Sequence, residues 1–148
     1  MSENIWDKEA PSGGGMYLKI EPESSIRVRF FGRPIEFQST FENTTSTRFA
    51  SAVLYRNKAT KVNEVKSFQF GWTIQKAMRA LYRDDEWGDP EGYDVEISRT
   101  GAGKETKYAV VPKPKKALSA DELELIESTP VDLVALYVEN KKDPFADE

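Results

Sequence analysis

Apolar residues recur at every second position over much of the chain, and the places where that alternation fails divide it into elements. Ile26, Val28 and Phe30 alternate with Arg27, Arg29 and Phe31. The pattern predicts a strand that buries the first set and carries two guanidinium groups and a phenyl ring on its other face. Gly32-Arg33-Pro34 interrupts it, and Ile35, Phe37 and Phe41 resume the period until the polar stretch 43–47. A long strand is expected over 48–56, with Phe49, Val53 and Tyr55 on one side and Arg48, Ala50, Ala52, Leu54 and Arg56 on the other. After a basic turn holding Lys58 and Lys61, a further strand ends in Lys66-Ser67-Phe68-Gln69-Phe70, whose two phenylalanines share a face and read as core.

At residue 73 the period changes. Ile74, Ala77, Met78 and Leu81 fall at i, i+3, i+4 and i+7, which predicts a packing helix over 73–83 with Thr73 as N-cap and Trp72 as a core anchor. Alternation returns at Tyr93, Val95 and Ile97 and again at Tyr108 and Val110, around a glycine-bearing tip at 101–103, the signature of a β-hairpin. Lys113-Pro114-Lys115-Lys116 follows as an extended basic connector. Ser119 with Glu122 three residues on forms a capping box, and Leu118 and Leu123 a hydrophobic staple, so a short helix starts there. A second is expected over 130–138, with Val134 and Tyr137 turned inward. The chain is thus mainly β, with a loose N-terminal arm at 1–15, a body at 16–118, a helical extension at 119–138 and a disordered acidic tail at 139–148.

Composition narrows the chemistry. Among 148 residues there is no cysteine and no histidine, which removes disulfides, thiol and imidazole catalysis and the usual zinc and iron sites. No cofactor, no metal and no enzymatic activity are expected. Mean hydropathy is -0.61, no apolar run approaches a membrane span, and the polar opening residues do not read as a secretory signal. A cytoplasmic protein without membrane contact is therefore expected. Two sharper motifs fail on spacing. Gly101-Ala102-Gly103-Lys104-Glu105-Thr106 has a P-loop's flavour, but Glu105 stands where Ser or Thr must follow the lysine, and a strand pattern comes next. The acidic loop 84–89 lacks the alternating carboxylates and closing glutamate of a calcium loop.

The net charge of -4 hides a sorting along the chain. Residues 84–98 hold seven acidic groups and no basic one, while the segments on either side are basic and the C-terminal end is acidic. A basic body with an acidic tail points to a polyanionic partner. The arginine and aromatic face of Arg27, Arg29 and Phe31 offers phosphate neutralisation and base stacking together. Candidate contacts continue through Arg33, Arg48, Arg56, Lys58, Lys61 and Lys66 to the hairpin residues Arg99, Lys104, Lys107 and Tyr108. That reading requires Arg27, Arg29 and the hairpin tip to share one continuous positive surface. In the tail, Phe145 among Asp143, Pro144, Asp147 and Glu148 has the composition of a docking peptide. A non-catalytic interaction factor of the replication or recombination machinery, acting through that tail, is the alternative.

The segments SGGGMYLKI, IRVRFFGRPI, TIQKAMRALYRDDEWGDP and YDVEISRTGAGKETKYAVVPKP, in this order and spacing, resemble a family of tailed-phage single-stranded DNA-binding proteins distantly related to the helix-destabilising proteins of T-even phages. The likeness covers most of residues 12–118. It implies an OB-fold core, a curved barrel of about five strands with one helix between the third and fourth. It also implies coating of unpaired strands during replication, recombination and repair, with Arg27, Arg29, Arg48, Arg56, Lys66 and the hairpin cations facing the strand. This chain departs from the T-even proteins in having no residues for their zinc site and an acidic N-terminal arm, and from the family in that Ala146-Asp147-Glu148 follows Phe145.

Overall fold

The computed structural model describes residues 16–101 and 103–139. The predicted arm and nearly all of the predicted tail, including Asp143, Pro144, Phe145, Asp147 and Glu148, lie outside the described residues. In chain order the elements are β1 (Tyr17–Leu18), β2 (Ser24–Phe41), β3 (Thr44–Asn57), β4 (Val62–Phe70), α1 (Trp72–Tyr82), β5 (Tyr93–Thr100), β6 (Lys107–Lys115) and α2 (Ala120–Ser128), followed by a π turn at Ala135–Glu139. The strands form one mixed sheet in the order β1-β4-β3-β2-β5-β6, antiparallel except for the short β1–β4 pair.

β2 organises the sheet because it does not stop at Gly32-Arg33-Pro34. Its register against β3 shifts between Phe31 and Ile35, with Gly32 at φ +72°, so the strand bulges, bends and continues. The first part of β2 pairs with β5, and the rest pairs with β3 as far as Phe41 opposite Thr44. A two-residue turn joins β2 to β3, and Glu42 and Asn43 both take positive φ there, as a hairpin turn matched to strand twist requires. The polar stretch 43–47 predicted as a break is therefore mostly strand.

Register fixes the two faces. Val28 lies opposite both Tyr55 and Val95, Phe30 opposite Val53, Ile26 opposite Ile97 and Phe49 opposite Phe70. These side chains form one core with Ile74 and Met78 of α1, and Phe30 meets Phe68 and Phe70 edge-on at 6.3 and 5.9 Å. α1 begins one residue earlier than predicted. Its N-cap is Gly71 rather than Thr73, and no side chain caps it. Trp72 is 53% exposed instead of anchoring the core, because at about 100° per residue it stands roughly 200° around the helix from Ile74.

The opposite face buries Ala50, Ala52, Leu54 and Ser67, and the C-terminal segment lies against it. The Ser119–Glu122 capping box forms as predicted. Tyr137 hydroxyl lies 2.7 Å from Ser67 Oγ, and its ring meets those of Tyr17 and Phe37. The second helix is shorter than the sequence predicts. Asp132 caps the Ala135 amide, so helical backbone starts only at Leu133, and Val134 stays 42% exposed.

The sheet is not closed into the expected barrel. Its two ends approach at one point, where Arg99 Nη1 donates to the Ile20 carbonyl at 2.8 Å, but no ladder joins β1 to β6. Phe30 sits at the centre of the aromatic layer that lets the sheet curve this far. Phe30→Ala is expected to lower unfolding stability by about 3–5 kcal/mol, measured as a fall in the urea midpoint with little change in the slope.

Candidate nucleic-acid interface

The arginines of the second face converge on one carboxylate. Asp94, at the register shift between Tyr93 and Val95 and out of phase with the buried Tyr93, Val95 and Ile97, points away from the core, with its side chain only 4% exposed. Arg27 Nε and Arg56 Nε bond Asp94 Oδ2 at 2.8 and 2.7 Å, and Arg29 Nε bonds Oδ1 at 2.8 Å. Arg29 also donates from Nη1 to the Glu91 carbonyl at 3.2 Å. Arg56 reaches Glu122 of α2 from Nη1 at 2.5 Å. Burial alone would raise the Asp94 pKa, but the guanidinium hydrogen bonds from Arg56, Arg29 and Arg27 outweigh it and hold the group below the usual carboxylate range.

Other cations, among them the predicted contacts Lys58 and Lys66, also have carboxylate partners. Lys58 and Lys113 flank Glu96 at 3.4 and 3.1 Å, and Ser25 donates to it at 3.0 Å. The Lys113 and Ser25 hydrogen bonds lead in pulling Glu96 down to about 2. Lys66 lies on the core face and pairs with Glu64 at 3.1 Å.

Free cationic and aromatic groups gather instead where the two ends of the sheet approach. A groove of about 440 Å³ opens there, between β1, the start of α1 and the β5–β6 hairpin. Lys19, Arg48 and Arg99 line it together with Trp72, Tyr108 and Tyr137, and no carboxylate does. None of the three cations makes an ion pair among the described residues. Arg48 lies against Gly71 so closely that a Cβ there would fall 2.7 Å from its Nη1. Arg99 is opposite Tyr108 in the hairpin, and its buried Nε has no hydrogen-bond partner. Trp72 stands edge-on to Phe49 at 4.9 Å, a contact that fixes the indole while its exposed surface remains available for stacking.

The predicted contact residues are thus divided. Arg48, Arg99 and Tyr108 meet at the groove, with Lys107 exposed beside Tyr108. Arg27, Arg29 and Arg56 gather on Asp94, and Phe31 shares their side of the sheet through its register with Ala52. Lys58 and Lys66 are paired, Lys61 sits in the β3–β4 turn at φ 62°, and Arg33 lies beside Tyr82 and Arg79 at the other end of α1. Among the described residues, Arg27 and Arg29 bond Asp94 while Arg99 and Tyr108 line the groove, so the β2 arginines and these hairpin residues belong to two cavities that share no lining residue.

The Lys104 side chain lies outside the described residues. Beside it, the Gly101 amide donates to Glu23 Oε2 at 2.6 Å, so a carboxylate occupies a donor that a phosphate loop would need free. In the acidic loop, Asp84 accepts from the Glu86 amide and Asp89 from the Glu91 amide, and no cluster able to hold a metal is found among the described residues. Lys19 and Trp72 were missed from sequence. Helical angle could have flagged Trp72, since it falls opposite the buried stripe, whereas nothing local marks Lys19.

No family model, curated protein or solved structure matches the chain.

The ion pairs set an acid limit on stability. A carboxylate held below its ordinary range stabilises the fold fully above that range, and the contribution is lost as pH falls through the folded-state value. For Glu96 the loss runs from about 4.5 down to about 2. Glu96→Gln is expected to be less stable than the parent at pH 7, with the gap closing as denaturation is measured toward pH 2. Asp94→Asn leaves buried guanidinium without its counter-charge and is expected to cost about 3–5 kcal/mol at neutral pH.

Proposed function

We propose that the protein binds single-stranded nucleic acid without catalysis, DNA in the first instance, and coats unpaired strands during replication, recombination or repair. The observation that carries this reading is the groove, in which, among the described residues, no carboxylate lines the wall and three cations without ion-pair partners stand beside two exposed aromatic rings. Phosphates are drawn to Lys19, Arg48 and Arg99, while bases stack on Trp72 and Tyr108. Each stacked base contributes about 1–3 kcal/mol, whatever its identity. Single strands suit this arrangement better than duplex because a paired base has no free face to offer.

The strand order supports the same reading. Taken alone, β4-β3-β2-β5-β6 with α1 between the third and fourth of these five strands is the order of an OB-fold opened at one seam, with β1 added at the free edge. The groove then lies at that seam, where β1 and β6 do not pair.

Titration with oligo(dT), followed by intrinsic tryptophan fluorescence, tests the proposal. Quenching is expected in the parent and should be lost in Trp72→Phe if Trp72 is the reporter in contact with bases. Trp72→Ala should weaken binding by about 1–3 kcal/mol. Arg48→Ala should reduce the dependence of log affinity on log salt by about 0.7, the value for one phosphate contact on a single strand. Affinity unchanged in both alanine variants, or no binding at low salt, would refute the reading.

A further inference from the structure

The Asp94 cluster is over-charged. The cavity above it, about 400 Å³, is bounded by Arg27, Arg29 and Arg56, by the connector residues Lys115 and Lys116, and by two carboxylates, Asp94 and Glu122. Five cations against two anions leave a net charge of +3. Arg56 is fully engaged, with Nε and Nη2 on Asp94 and Nη1 on Glu122, but Arg27 is not. Arg27 uses only its Nε on Asp94, and its side chain is 42% exposed. Lys115 and Lys116 make no ion pair among the described residues. The cluster is held rigidly from below, since Arg29 and Asp94 are both almost wholly buried. Proline at 114, which forms part of the wall, stiffens the connector that carries the lysines.

From this arrangement we infer a second anion site, distinct from the groove, that takes a compact and multiply charged phosphate group. The inference does not rest on what the groove binds, since the two cavities share no lining residue. No aromatic side chain lines this one, so it offers a base no surface and recognises charge alone. The terminal nitrogens of Arg27, which bonds Asp94 through Nε, and the two lysine ammonium groups suit phosphate oxygens. Glu122 already occupies part of the place such an anion would take, bonded to Arg56 and to the Asn63 amide. An incoming phosphate therefore competes with the α2 carboxylate for Arg56. The same phosphate chemistry is offered by a nucleic-acid backbone passing over this face and by a free polyphosphate.

Isothermal titration of the full chain with pyrophosphate at low ionic strength provides the test. One saturable site is expected. Lys115→Ala with Lys116→Ala should weaken it at least fivefold, with an unchanged urea midpoint as the control for folding. Glu122→Gln removes a competing negative charge while retaining the side-chain shape, and should tighten binding about threefold. Arg48→Ala, in the groove, should leave the pyrophosphate isotherm as it was. An absent isotherm, or one insensitive to the lysine pair, overturns the site, as does one abolished by Arg48→Ala, which would place the anion in the groove. Oligo(dT) affinity measured on the same lysine variant identifies the source: a parallel loss assigns the phosphate to the strand backbone, and an unchanged value assigns it to a free phosphate compound.

Discussion

A guanidinium group buried in the face of a sheet needs a counter-charge at hydrogen-bonding distance, and much of this structure follows from meeting that need. Arg29 is 3% exposed, and an isolated charge so placed would cost several kcal/mol. Asp94 answers it, and in doing so draws in Arg27 and Arg56, so that β2, β3 and β5 are tied at one point. Through Glu122 the same cluster reaches α2. The arrangement also fixes register. A slip of β5 by one residue would carry Asp94 to the core face and leave two or three guanidinium groups without their partner. Apolar residues of similar volume would hold the strands as firmly, yet they would not penalise the slipped alternative in this way.

That constraint separates charge used for structure from charge left for a ligand. The basic pair of β2, Arg27 and Arg29, is largely spent on internal pairing, and so are Lys58 and Lys66. Among the described residues, Lys19, Arg48 and Arg99, which make no ion pair, gather where the sheet stops. Closing the seam would require β6 to ladder with its neighbour across the gap. Instead Arg99 bridges to a single carbonyl at Ile20, and the space on either side admits side chains from three separate elements.

Alternation read from sequence located every long strand and the sides of β3 correctly, because a period of two depends only on neighbours along the chain. The helix stripe of Ile74 and Met78 and the capping box at Ser119 were legible for the same local reason. Two kinds of feature were not. One is a local rule overridden by tertiary pairing: Gly32-Arg33-Pro34 reads as a break, but β3 and β5 hold both halves of β2 in one sheet, and the glycine becomes a bulge. The other is the partner of a charge. Asp94 lies 67 residues from Arg27 and 38 from Arg56, and nothing local marks it as their partner. Alternation gives the face a carboxylate takes but not which distant cations share that face, so the arginines looked free when they were not.

The groove's chemistry follows from its position in the topology. Its walls come from β1 and from the strand that precedes α1, and from the hairpin at the far end of the sheet, whereas the acidic residues of 84–98 belong to the α1–β5 connection and to β5 itself. Within β5 the carboxylates at 94 and 96 point to the opposite side from Val95 and Ile97, where Arg27, Lys58 and Lys113 absorb them. Arg99 falls in phase with Val95 and Ile97 and so turns toward the groove side. A two-residue alternation in one strand thus sends negative charge to one face and positive charge to the other. Because the sheet remains open beside that positive charge, Arg99 and its neighbours Arg48 and Lys19 are left facing an unfilled space rather than a paired strand.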